Sequence, residues 1–142
     1  MERTIHFEVD IAAPSRDLWS VLTEADQIHV WWEGVHAVKL SDAKPGGIYT
    51  LHYEEGKEDV CEILQNDPGK LLRYSWKSSE PQPTVVEYRL SPIEGGTRLV
   101  FHNSGYLPGA KWDKFYQANF IGWLKMMLGV KKLLEGAHGG NE

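Results

Sequence analysis

The sequence has a single cysteine, Cys61, so no disulfide can close within the chain and no zinc site can be built on paired cysteines. That scarcity fits a reducing compartment, and Cys61 itself reads as ordinary strand packing. Basic residues are also outnumbered: 15 Lys and Arg face 20 Asp and Glu, for a net charge of −5. The deficit lies in residues 1–110, where 10 basic side chains meet 17 acidic ones, and an acidic body of this kind argues against nucleic acid as a partner. Residues 111–142 reverse the balance with 5 Lys against 3 acids, and Lys111, Lys114, Lys125, Lys131 and Lys132 read as the solvated face of a helix. No apolar run reaches membrane length, and Met1-Glu2-Arg3 leads into a strand pattern with no charged-then-apolar leader. A cytoplasmic protein without a membrane partner is the expectation.

What remains is enough for one domain. A chain of 142 residues buries roughly 68–70% of its unfolded surface without staples. Ile5, Phe7, Val9 and Ile11 alternate with Thr4, His6, Glu8 and Asp10, the period of two of a half-buried strand. Pro14 suits the first turn of a helix carrying Leu18, Trp19 and Leu22 on one side. A second short helix follows, with Thr23-Glu24-Ala25-Asp26 resembling a capping box and Ile28, Trp31 and Trp32 as its apolar side.

Six further strands are predicted at 35–39, 48–54, 57–65, 71–77, 84–90 and 97–103. Pro45-Gly46-Gly47, Glu55-Gly56, Asn66-Asp67-Pro68-Gly69, Pro81-Gln82-Pro83 and Glu94-Gly95-Gly96 separate them as tight turns, which implies an antiparallel meander. From Lys111 to about Glu135 the period changes to that of a helix roughly 36 Å long. Trp112, Phe115, Tyr116, Asn119, Trp123, Met126, Met127, Val130 and Leu134 share its apolar face. The expectation is a single domain over 1–135 and a disordered tail over 136–142.

Ala13-Pro14, Leu18-Trp19, Leu22-Thr23, Trp31-Trp32, Pro45-Gly46-Gly47, Asn66-Asp67-Pro68, His102-Asn103-Ser104-Gly105-Tyr106 and Gly122-Trp123, in this order and spacing, carry a resemblance. From about residue 5 to 134 the chain resembles the activator-of-heat-shock-protein-90-ATPase homologue family, within the START-like, birch-pollen-allergen-like (SRPBCC) superfamily. The resemblance implies an α+β helix-grip fold: a curved seven-stranded antiparallel sheet wrapped around the long C-terminal helix, with two short helices after strand 1. It also implies a cavity between sheet and helix, binding of a hydrophobic ligand or lipid, and a possible chaperone partner in stress response. Eukaryotic co-chaperones of this kind bind their chaperone through a separate N-terminal domain, for which this chain has no room.

Strand alternation predicts an inward set of Tyr49, Leu51, Tyr53, Leu72, Tyr74, Trp76, Val86, Tyr88, Leu90, Leu99, Phe101 and Asn103. Apolar bodies with a few polar tips suit a pocket for a flat hydrophobic molecule, and equally a filled core with hydroxyls at its rim. The candidate ligand-binding residues are Trp32, Tyr49, Tyr53, Tyr74, Trp76, Tyr88, Phe101, Asn103, Asn119, Trp123 and Met126. Asn119 is the sharpest of these, because an amide on an apolar helix face must find partners; Asn103 is its expected one.

Six histidines show no metal-ligand spacing, no Gly-x-Ser-x-Gly turn exists, and no cofactor motif appears. His6, His52 and His102 should face solvent. Glu33 and His36, near the expected mouth, are the remaining acid–base candidates for cyclase or hydrolase chemistry. A second stripe, Ile121, Leu124 and Leu128, lies opposite Trp123 and Val130 and reads as a homodimer contact.

Overall fold

The computed structural model describes residues 3–77 and 83–139. Its elements are β1 (Arg3–Ile11), α1 (Ser15–Thr23), α2 (Ala25–Trp31), β2 (Val35–Leu40), β3 (Ile48–Tyr53), β4 (Glu58–Asp67), β5 (Leu71–Lys77), β6 (Thr84–Ile93), β7 (Gly96–Tyr106) and α3 (Ala110–Gly139). The strands form one antiparallel sheet in the order β1-β7-β6-β5-β4-β3-β2, so the short turns do join neighbours except where the helix pair carries the chain from β1 to the far edge. This is the helix-grip arrangement: Trp123 of α3 packs on Phe101 of β7 and Trp76 of β5, which places the helix across the inner face of the sheet.

Local chemistry explains most boundaries. Pro14 sits one residue before the helix, at the N-cap of α1, in extended backbone that its ring permits. The capping box expected at residues 23–26 does not form. The Thr23 hydroxyl donates back to the Trp19 carbonyl at 2.7 Å, within α1, and Glu24 takes the N-cap of α2 without a side-chain bond. The turn at 81–83 lies, apart from Pro83, outside the described residues. At the start of β7 Gly96 passes so close to β1 that a Cβ would lie 2.0 Å from the Ile11 carbonyl oxygen, so only glycine fits there.

Several elements outrun their predicted ends, with β4 reaching Asp67 and β6 Ile93 beside the extensions of α3 and β7. Where a tail is expected from Gly136, α3 keeps helical backbone through Gly139, and residues 140–142 lie outside the described residues. The last strand continues past Asn103 to Tyr106, across a bulge in which Gly105 has no partner on β1: Thr4 pairs with Ser104 and Arg3 with Tyr106. Gly105 takes φ 101°, a conformation natural to glycine. The extra residue reverses the alternation, so Tyr106 points inward and is fully buried.

Candidate functional site

The site is built around Trp123. This indole is 1% exposed and meets Phe101, Trp32 and Trp76 with ring centroids at 4.7, 5.0 and 5.6 Å. Strand alternation delivers the rest of the wall: Tyr88 lies 5.8 Å from Phe101, Tyr74 lies 5.9 Å from Tyr88, and Tyr49 lies 5.9 Å from Tyr74. The predicted inward residues are therefore brought together, all of them buried except Tyr53, which is half-buried at the edge. They meet one another: offset and edge-to-face ring pairs occupy the interior between α3 and the sheet.

Most interior polar atoms are paired. The Tyr74 and Tyr88 hydroxyls share a bond of 2.7 Å, and burial pushes both phenols well above their ordinary range. Tyr49 donates to the Thr23 carbonyl at 2.6 Å and is likewise raised by burial. The expected Asn103–Asn119 pair is corrected by the structure: Tyr106 stands between them. Its hydroxyl donates to Asn103 Oδ1 and accepts from Asn119 Nδ2 at 2.9 Å, while Asn103 Nδ2 donates to Thr84 Oγ1 and the Val85 carbonyl, each at 3.0 Å. The amides thus tie α3 to β6 and β7. Among the described residues three buried side-chain atoms have no partner, His52 Nε2, Asn66 Oδ1 and Trp123 Nε1, and of these the Trp123 donor lies in this interior.

The edge of the cluster holds an unexpected charge. Asp59 of β4 points inward, is 8% exposed, and accepts from Tyr53 Oη at 2.7 Å and Trp76 Nε1 at 2.9 Å. Burial, followed by the bond to Asp59, raises the Tyr53 phenol far above its usual value.

The remaining candidates disperse. Met126 is half-buried; its sulfur accepts the Glu33 backbone N–H at 3.3 Å, and it lines an open cleft of about 420 Å³ between α2 and α3 together with Trp31, Gly129 and Leu133. Glu33 pairs with Lys125 at 3.5 Å, and His36 Nε2 lies 3.1 Å from the Tyr53 carbonyl oxygen, so the two acid–base candidates are held by different partners. Ile121 and Leu128 are 61% and 48% exposed, and Leu124 is half-buried, so the second stripe does lie open.

His6 and His36 face solvent, whereas His52 and His102 are half-buried. On the outer face Arg73, Glu87, His102 and His6 occupy one rung across four strands, with the Glu87 carboxylate bonded by Arg73 and Arg89 and the His6 and His102 rings stacked at 4.6 Å.

Tyr106 and Asp59 are the residues of this candidate site that sequence reasoning missed. The signal for Tyr106 was Gly105, a glycine inside a strand pattern. For Asp59 it was parity, since residue 59 shares the inward phase of Cys61 and Ile63.

No described helix is long and apolar enough to cross a membrane. No curated protein matches the chain. Among solved structures, protein MLL2253 of Mesorhizobium loti is 26% identical with a TM-score of 0.80, covering 94% of this chain and 97% of its own. CalU16 of Micromonospora echinospora is 24% identical with a TM-score of 0.77, covering 95% of this chain and 76% of its own. The Aha1 dimer of Colwellia psychrerythraea is 19% identical with a TM-score of 0.77, covering 94% and 96%. These likenesses bear on the fold. The model of one family, the Activator of Hsp90 ATPase homolog 1-like proteins, matches residues 12–135, and the chain belongs to that family.

Proposed function

We propose that this protein binds, without chemistry, a small and mostly hydrophobic ring-bearing ligand between the inner face of the sheet and α3. The observation that carries this reading is Trp123 Nε1: it is a buried donor with no acceptor at the centre of an interior in which the Tyr49, Tyr74 and Tyr88 hydroxyls and the Trp31 and Trp76 indole donors are paired. A buried N–H left unmatched costs about 1–3 kcal/mol, a penalty that a ligand carbonyl or ether oxygen removes. Entry runs through the first half of α3, where Trp112, Phe115 and Tyr116 are only half-buried.

A thermal-shift screen with fatty acids, flavonoids and polyketide-like aromatics tests the reading. Binding to the native state at a hundredfold excess over Kd adds about 2.7 kcal/mol of stability. Trp123→Phe keeps a ring and removes the donor, so it should weaken carbonyl-bearing hits selectively. A screen without any hit, together with native mass spectra free of co-purified small molecules, overturns it.

A second reading is favoured by the open stripe of Ile121, Leu124 and Leu128: a protein-interaction module that modulates a heat-shock protein 90 type ATPase, as the family description suggests, in the cytoplasm and under stress. The same stripe suits a homodimer, and the Colwellia relative is described as one. Chaperone ATPase assays with and without the protein, and sedimentation of wild type against Leu128→Lys, test this reading.

A further inference from the structure

The outward side of α3 differs in charge from the rest of the molecule. Residues 1–110 hold 10 basic side chains against 17 acidic ones, whereas α3 carries lysines, no arginine, and as acids only Asp113 and Glu135. Both acids are already engaged: Asp113 pairs with Arg3 of β1 at 2.8 Å and Glu135 with Lys131 at 2.6 Å. Lys114, Lys125 and Lys132 are exposed and follow one another at whole numbers of helical turns, so they form a row roughly 27 Å long, away from the face of Trp123 and Val130. Lys125 shares Glu33 at 3.5 Å in an exposed pair, which leaves the row cationic. Apolar side chains interleave with it. Among the described residues seven large apolar side chains are exposed, and five of them, Val30, Phe120, Ile121, Leu128 and Leu133, belong to α2 and α3. Single surface leucines need no partner, but a majority gathered around one row of lysines does. This is the pattern of a helix lying in the headgroup layer of a bilayer, where ammonium groups meet anionic headgroups while their stems and the aliphatic side chains reach the acyl boundary. Composition separates it from a protein partner. Protein interfaces favour arginine, whose rigid fork loses less freedom per bond, and are depleted in lysine. A lipid surface asks only for diffuse positive charge, and a stripe along one helix meets a plane without a complementary shape.

We infer that the outer face of α3 docks the protein on an anionic lipid surface, with Lys114, Lys125 and Lys132 on the headgroups and Ile121 and Leu128 inserted between them. No described helix is long and apolar enough to span a bilayer; α3 lies on its surface. The acidic excess of residues 1–110 is repelled by the same headgroups, which turns α3 toward the lipid and the body away from it. This inference does not rest on the ligand-binding reading, which survives its failure.

Co-sedimentation of the whole protein with vesicles tests it. Affinity for phosphatidylcholine vesicles containing about one-third phosphatidylglycerol should exceed that for pure phosphatidylcholine by about fivefold or more, and should fall severalfold between about 0.05 and about 0.5 M salt. Lys125→Glu together with Lys132→Glu should weaken binding to the anionic vesicles by about tenfold or more. Ile121→Ser together with Leu128→Ser should weaken it about fivefold at either salt concentration. Lys57→Glu together with Lys70→Glu makes the same change of net charge at exposed positions flanking β4 and should keep most of the binding. Equal affinity for the two vesicle types, or binding to neither, overturns the inference. So does an equal loss in the Lys57/Lys70 and Lys125/Lys132 variants, which would make net charge and not this face the cause. A wild-type dimer that Leu128→Lys dissociates assigns the face to a second copy and overturns it as well. The wild-type comparison of the two vesicle types decides the matter even where a variant does not fold.

Discussion

The two halves of α3 differ sharply although the helix is continuous. From Trp123 to Leu134 the helix buries Trp123, Met127, Val130 and Leu134, and its far end is clasped to the end of β1 by Lys131 and Glu135. From Ala110 to Gly122 no side chain is fully buried; Trp112, Phe115, Tyr116 and Asn119 lie half-covered against Tyr106 and Trp76. Both halves follow the same 3.6-residue periodicity. The difference teaches that amphipathic pattern marks the face a helix turns to the sheet, while depth of burial depends on what the sheet offers beneath it. The second half is an anchor, and the first half is a cover that local opening can lift.

The largest effect should come from breaking the anchor. Trp123→Ala removes the ring on which Trp32, Trp76 and Phe101 converge, and a truncation of this size in a packed core costs about 3–5 kcal/mol. Urea denaturation should show a loss on that scale. A loss below about 1 kcal/mol would mean that the anchor is elsewhere. Next is the joint between the two halves. Tyr106→Phe leaves the ring in place but strips the partner from both Asn103 and Asn119, for an expected cost of about 1–3 kcal/mol. The further change Asn119→Leu in that background should recover part of it, because an apolar side chain on α3 no longer needs the missing hydroxyl.

The cover should respond less. Phe115→Ala truncates a half-buried ring that touches Trp76, Tyr106 and Trp112, and about 1–2 kcal/mol is expected, well below the loss at Trp123. Hydrogen exchange sharpens the contrast: backbone amides at 113–121 should exchange faster than those at 126–134, and ligand binding should slow the first group more than the second. Equal protection along the helix would erase the distinction between cover and anchor.

How much of this was legible in the sequence depends on whether local chemistry or tertiary contact decides each feature. Strand parity alone placed Tyr49, Tyr74, Trp76, Tyr88 and Phe101 on one face, because a period of two is a covalent property of the extended chain. The helix wheel likewise selected Trp123 and Val130. It did not separate Trp112 from Trp123, since both satisfy the wheel and only the sheet distinguishes them.

Tyr106 was hidden by a single inserted residue, Gly105, that reverses parity. The capping box at Thr23 was misread because the hydroxyl had a competing acceptor one turn back in its own helix. Asp59 followed the parity rule, yet its charge is opposed to the rule that inward positions are apolar; a conflict between two such levels is where function is expected.

The smallest effect concerns the far end of the anchor. Glu135 accepts the Ala12 backbone N–H at 3.0 Å and Lys131 Nζ at 2.6 Å, and these bonds, led by that of Lys131, hold its carboxyl below the ordinary value of 4.5. A lowered folded-state value means that the ionised form is favoured by folding. The contribution is therefore complete above about pH 4.5 and fades as pH falls through the lowered value. Because the group is exposed, the contribution is modest, within about 0.5 kcal/mol for the surface pair. Glu135→Gln should accordingly lower stability slightly at pH 7, and the gap between the two urea curves should close as pH falls through the lowered value. A gap that widens toward acid would show that the clasp on β1 is not ionic. The second half of α3 would then be held by its buried face alone, and the two halves would differ in depth of burial but not in how their ends are fixed.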